Sequence, residues 1–318
     1  SYLANFVDDG NDRSYFVANL EKALSPEDVR PAGGQRLLST DNAVDYLVVT
    51  SRELRPAAEH LAAYRRISNG ARTMVVTTDE VYDAFRGGSE SPWAIRDLVA
   101  YARSKWAAAP RFIVLAGGGT YDYRELFGQQ ANHVPPAMVV TPKGLAASDG
   151  ALADLDGGDG LADIPIGRIP VRTPAELEAY VTKLAAFERS TTDGHTILVA
   201  DLPRDEANFV RESDVVAGFI PSGRARTKVY LDPLAPGRAH DELVAAWKHS
   251  PTFINYVGHG GTDRLANSGV FTVNDLLSLG ALSRAPIVTT MTCSAGRFEI
   301  PRGESLGARL VASQGTGA

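Results

Sequence analysis

The sequence predicts an α/β protein built on parallel sheets. Short apolar runs rich in β-branched residues recur along the chain. Single stretches of helical spacing separate most of them, and many runs end at small-residue turns. Strands spaced by single helices form parallel sheets covered on both faces.

The elements follow in order. Residues 1–44 are polar with a few aromatics and read as a lead-in or the tail of a preceding module. Alternation begins with a strand from Tyr46 to Thr50. A helix from Leu54 to Ile67 follows, with Gly70 as its stop signal. Thr73 to Thr77 is a strand and Asp79 to Phe85 a short helix. Ser91-Pro92 opens the next helix in cap-then-proline order, and that helix runs to about Trp106. Phe112 to Ala116 is a strand ending in Gly117-Gly118-Gly119. A loop-rich region with a short strand near Met138 to Val140 leads to a strand from Asp163 to Ile169. Pro174 to Glu188 is a helix capped by Thr173.

The second half repeats the pattern. Strands are expected at Thr196 to Asp201, Thr227 to Leu231, Thr252 to Val257 and Pro286 to Met291. Helices are expected at Glu206 to Phe219, His240 to Trp247, Val273 to Leu279 and Glu304 to Val311. The polar segment Arg189 to Gly194 divides the chain into an N-terminal α/β subdomain, 45–190, and a second α/β subdomain, 191–318. Gly315-Thr316-Gly317-Ala318 reads as the turn into a further strand, so the chain is expected to be part of a longer multidomain precursor.

Composition narrows the function. Of the 318 residues, 44% are hydrophobic and 22% charged, as in an ordinary globular protein. A net charge of -6 supplies no basic patch, which argues against a nucleic-acid partner. No apolar run approaches the roughly 20 residues of a membrane span. The single cysteine excludes an internal disulfide framework and a cysteine zinc cage.

That cysteine, Cys293, stands just past a strand end beside Ser294-Ala295-Gly296. A lone cysteine is more often inert packing. Here small neighbours admit a substrate backbone, and a turn amide can face an oxyanion. His259 is the only one of the six histidines flanked by glycines at a strand end. Its ring can supply the base that a thiolate needs. The other five read as surface or capping residues. If the two strands are neighbours, a histidine and a thiol meet beyond their carboxyl ends. The strand end Met291-Thr292 is a candidate substrate contact.

Other chemistries have thinner support. Gly117-Gly118-Gly119 follows a strand like a phosphate loop, but lacks the Lys-Ser/Thr ending and any dinucleotide fingerprint. Nucleotide binding stays open on those glycines. Neither a His-Glu-x-x-His nor a Gly-x-Ser-x-Gly motif occurs. The carboxylates of the loop from Asp149 to Asp163 read either as Asx turns or as a ligand site. Asp154, Asp156 and Asp159 are the candidates for a structural calcium ion, though the run falls short of the EF-hand pattern. The chemistry itself needs no cofactor.

Asn255-Tyr256-Val257-Gly258-His259-Gly260, Thr292-Cys293-Ser294-Ala295-Gly296-Arg297-Phe298 and Ile166-Gly167-Arg168-Ile169-Pro170 resemble the gingipain family of cysteine peptidases, in the caspase-like clan. The likeness covers most of the chain from about Asp45. It implies a caspase-like parallel-sheet sandwich preceded by a smaller α/β subdomain, in a secreted or cell-surface thiol protease acting on protein or peptide. It places the nucleophile on Cys293, the histidine on His259, and the oxyanion donors on the backbone amides of Gly260 and Cys293. A gap-free match puts the aspartate at the base of an arginine pocket on Asp149, implying cleavage after arginine before lysine. Leu265 stands where gingipains place an aromatic pocket wall. The stretch His133 to Val140, matching the segment that in some members holds an acid behind the histidine, has no Asp or Glu. A catalytically silent interaction module is the alternative from another class.

Overall fold

The structure is a computed structural model. It describes residue 19 and residues 31–313, apart from 129–130, 143, 191–193, 205–206, 233 and 281. The expected lead-in falls mostly outside these residues. So do the turn at Gly315–Ala318 and part of the boundary segment.

Two four-stranded parallel sheets organise the chain. The first is built from β1 (Tyr46–Thr50), β2 (Thr73–Thr77), β3 (Phe112–Ala116) and β6 (Ile166–Ile169), in the order β2-β1-β3-β6. Its helices are α1 (Arg55–Asn69), α2 (Thr78–Arg86), α3 (Trp93–Lys105) and α4 (Pro174–Arg189). The period of two sorts each strand between two cores. Leu47, Val49, Ile113 and Leu115 face α2 and α3. Val48, Val75, Ala116 and Ile169 face α1 and α4.

Local signals set the helix ends. Thr77 and Glu80 close a reciprocal capping box on α2, and Thr173 caps α4 by accepting the Glu176 N–H. Gly70 ends α1 in the left-handed conformation. Between β3 and β6, the predicted strand at Met138 is half of a hairpin, β4 (Met138–Thr141) with β5 (Gly144–Ala147). The partner Gly144-Leu145-Ala146-Ala147 has poor strand propensity, so only the pairing reveals it.

The second sheet contains β7 (Thr196–Ala200), β8 (Arg226–Tyr230), β9 (Phe253–Val257) and β12 (Ile287–Met291), in the order β12-β9-β7-β8. The helices α5 (Phe209–Gly218) and α6 (Pro236–Trp247) cover opposite faces. The connection from β9 to β12 departs from a simple helix. It holds a ribbon of β10 (Arg264–Leu265) and β11 (Phe271–Thr272), a 3-10 turn at Val273–Asp275, and one turn of helix, α7 (Leu276–Leu279). Trp247 stacks on Phe271 at 4.3 Å beneath it. The final helix α8 (Leu306–Ala312) bridges the halves. Its Leu306 and Leu310 enter the second sheet's core, and Ala312 enters that of α1 and α4. Lys183 of α4 is buried and donates to the Leu310 and Val311 carbonyls, and burial lowers its pKa to about 8. Among the described residues no helix is long and apolar enough to cross a membrane.

Candidate active site

β12 and β9 are parallel neighbours, with Met291 opposite Val257. Cys293 and His259 each lie two residues beyond that matched pair, at the carboxyl end of the sheet. β7 flanks β9 on the other side with Ala200 opposite Val257. Three adjacent strand ends therefore deliver a cysteine, a histidine and Asp201.

Glycine lets the turn after β9 pack this tightly. A Cβ on Gly258 would lie 2.3 Å from Asp201 Cβ and 2.5 Å from the Tyr256 hydroxyl. A Cβ on Gly260 would lie 3.0 Å from the Cys293 carbonyl oxygen. The His259-Gly260 turn thus rests directly against the peptide of Cys293. Gly260 bridges to Leu265, but its neighbours make the bonds: Gly261 N–H donates to Arg264 O at 3.0 Å and Ala266 N–H to His259 O at 2.8 Å. Among the described residues, neither the Gly260 nor the Cys293 N–H donates to another residue.

The Cys293 turn is tight. Ser294 takes the left-handed conformation at φ 63°, and Ala295 N–H donates back to the Cys293 carbonyl at 2.8 Å. A non-glycine residue held there stores strain, a feature that clusters at functional sites. Cys293 is a free, exposed thiol. Met291 beside it is exposed, and Thr292 carries a buried hydroxyl with no partner.

His259 is half-buried, and its ring meets Phe209 of α5 edge-on at 5.2 Å. Its Nε2 is buried without a hydrogen-bond partner. The backbone of His259 is fixed from two sides. The Asp201 carboxylate accepts its N–H at 3.1 Å, and the Tyr256 hydroxyl donates to its carbonyl. Burial, and then the nearby Asp201 charge, push the Tyr256 hydroxyl well above its ordinary pKa, so it stays a proton donor. Asp201 was missed in the sequence. Its signal was an acid closing a strand, informative only once β7 and β9 are known to be neighbours.

The other candidate residues have these surroundings in the structure. Asp149 is not a free pocket acid: both its oxygens accept from Arg168, at 2.8 and 2.7 Å. Leu265 walls no pocket, because it pairs with Phe271 in the ribbon and its side chain is 1% exposed within the core. Asp154, Asp156 and Asp159 do not converge on a calcium site. Asp154 caps the Gly160 N–H, Asp156 pairs with Arg103 at 2.6 Å, and Asp159 accepts from Leu161 N–H. Among the described residues no group of three acids, histidines or cysteines is gathered for a metal. His133 is buried rather than superficial, bridging Ser51 and the Arg172 carbonyl. Two of the three amides of the triple-glycine loop are engaged, as is the one that follows it. Gly117 and Gly118 donate to Ile169 and Val171 carbonyls, and the Thr120 N–H donates to Asn132. Those amides are not available to cradle a phosphate.

Comparison with known proteins matches the chain to a family. A model described as peptidase family C25 covers residues 39–318. No curated protein sequence matches the chain. Among solved structures, the chain is similar to the complex of the pro- and mature domains of RgpB from Porphyromonas gingivalis, at 16% identity and TM-score 0.69. That match covers 86% of this chain and 62% of the other. It is similar to the Arg-specific cysteine proteinase gingipain R at 17% identity and TM-score 0.69, over 91% and 63% of the two chains. A structure described only as a protease matches at 17% identity and TM-score 0.62, over 86% and 57%. The chain thus spans under two thirds of the length of each.

Proposed function

Because the chain belongs to peptidase family C25, the gingipain family, we propose that it is a cysteine endopeptidase with Cys293 as nucleophile and His259 as its base. One observation carries this reading: Cys293 and His259 stand at equal distance past the register-matched ends of adjacent parallel strands.

The chemistry follows from the groups present. His259 takes the thiol proton, and the Cys293 sulfur attacks the scissile carbonyl. The resulting oxyanion lies between the N–H groups of Gly260 and Cys293, which donate to no other described residue. The tetrahedral species collapses as the C–N bond breaks, and His259 returns the proton to the leaving amine. Water then attacks the thioester, losing its proton to His259. That proton returns to the departing sulfur. Asp201 holds the His259 peptide rather than its ring, so the base is oriented through its backbone and by Phe209.

Cleavage after a basic residue, arginine before lysine, is part of the reading. Its support is the fold shared with the Arg-specific gingipain R, without Asp149 as the selecting acid. Action outside the cell or at its surface, within a longer precursor, is part of the same proposal. The test is fluorogenic peptides varied at the residue before the cut, with Cys293→Ala and His259→Ala. Each substitution should lower turnover on the order of 10⁴-fold with the fold intact. Hydrolysis at the wild-type rate by Cys293→Ala would refute the assignment. A specificity profile without basic preference would remove only the selectivity.

A further inference from the structure

Arg168 belongs to β6 of the first sheet, yet its side chain reaches the segment that follows Cys293. Its guanidinium lies 4.5 Å from the centroid of the Phe298 ring, and its side chain is 4% exposed. All of its orientations but one are removed. Nε and Nη2 hold the two Asp149 oxygens, while Nη1 donates to the Gly117 and Val134 carbonyls at 2.8 and 2.6 Å. A planar cation pinned along its edges offers a fixed flat face, and an aromatic ring is attracted to that face.

From Phe298 back to the thiol the chain has little slack. Phe298 N–H donates to Gly296 O at 2.8 Å, Arg297 N–H to Ser294 O at 3.0 Å, and Ala295 N–H to Cys293 O at 2.8 Å. These successive turns, with Ser294 at positive φ, couple the ring position to the Cys293 peptide. Further out, the same segment is tied by Tyr121 N–H to Glu299 O and by Arg172 to Gly303 O. None of those ties acts on Phe298 itself.

We propose that the Asp149–Arg168 pair is a positioning device: it locks Phe298, and through Phe298 holds the Cys293 N–H at the place where an oxyanion develops. The inference rests on the assignment of Cys293 as nucleophile. It assigns Asp149, in the connection that leads into β6, a supporting role and makes the two sheets jointly responsible for one site.

The test separates oxyanion stabilisation from thiol reactivity. Phe298→Leu keeps apolar bulk without the ring face, Phe298→Tyr keeps the ring, and Arg168→Lys keeps charge without the fork. Each is assayed for kcat and KM on a fluorogenic peptide, for the rate of Cys293 alkylation by iodoacetamide, and for Tm. Alkylation displaces iodide by the thiolate and uses no oxyanion donor. Phe298→Leu and Arg168→Lys should lower kcat about 10- to 100-fold, since misplacement by about 1 Å costs that much. KM and alkylation should change little, and Phe298→Tyr should restore most of the rate. A kcat unchanged in Phe298→Leu, or kcat and alkylation falling together, overturns the inference. Wild-type protein that keeps hydrolysing peptide after Cys293 is fully alkylated overturns the nucleophile assignment beneath it.

Discussion

Gly260→Ala probes the closest approach between the histidine and cysteine turns. Gly260 lies outside the positive-φ region, so alanine meets no backbone penalty. Its methyl would sit 2.5 Å from Thr292 Oγ1, 3.0 Å from the Cys293 carbonyl oxygen and 3.2 Å from Thr292 Cγ2. The hydroxyl can turn aside at about 0.5–1.5 kcal/mol. The carbonyl cannot move alone, because it closes the turn around Ser294. Ordinary contact requires that it retreat by about 0.4 Å, carrying the nucleophile's peptide with it. Scaling from about 10²-fold for 1 Å, kcat should fall roughly 5- to 10-fold. The overpacking should cost about 1–3 kcal/mol in stability. The assay is steady-state hydrolysis of a fluorogenic peptide, with Tm from calorimetry. Gly218→Ala is the control, since a Cβ there meets nothing within 4 Å. It should match wild type. A Gly260→Ala protein with unchanged kcat and Tm would refute the contact between the two turns.

Asp149→Asn should leave the ratio of rates on Arg, Lys and neutral substrates unchanged while lowering Tm, because it strips one charge from a buried ion pair. A collapse of arginine preference in matched assays would return Asp149 to the pocket. His240 of α6 bonds Asp275 at 3.0 Å, and hydrogen bonds to Asp275 and then Asp241 raise its pKa above 6.5. For Asp275, burial acts upward, but bonds from His240 and Thr272 bring it below 3.8. The pair's stabilisation is therefore fully present between these two ordinary values. It is lost as pH rises through the raised histidine pKa, or falls through the lowered aspartate pKa. His240→Ala should cost under about 1 kcal/mol at pH 5.5, given its exposure, and less at pH 8.5. Urea unfolding at the two pH values measures it, and an equal loss at both would contradict the linkage.

The strands of both sheets were legible in sequence because their information is local. Tyr46–Thr50, Thr73–Thr77 and Phe112–Ala116 occupy the predicted residues, since β-branched runs bounded by turns need no distant partner to be recognised. His259 and Cys293 were legible for the same reason, each being a reactive side chain at a small-residue strand end. The ribbon before α7 was not, because β10 and β11 are two residues each and exist only by pairing.

Sequence by itself determined the α/β class, the parallel strands and the two residues proposed for the chemistry. Tertiary structure alone decided what surrounds them. Asp201 serves His259 because β7 lies beside β9, 58 residues away in sequence. Asp149 belongs to Arg168 because β6 brings a guanidinium to it, and a buried acid takes the bidentate partner that the fold holds in place. Leu265 turns inward because it pairs with Phe271 in the ribbon. An aligned position carries residue type, but the partner that a charged or apolar side chain finds is set by which strands become neighbours.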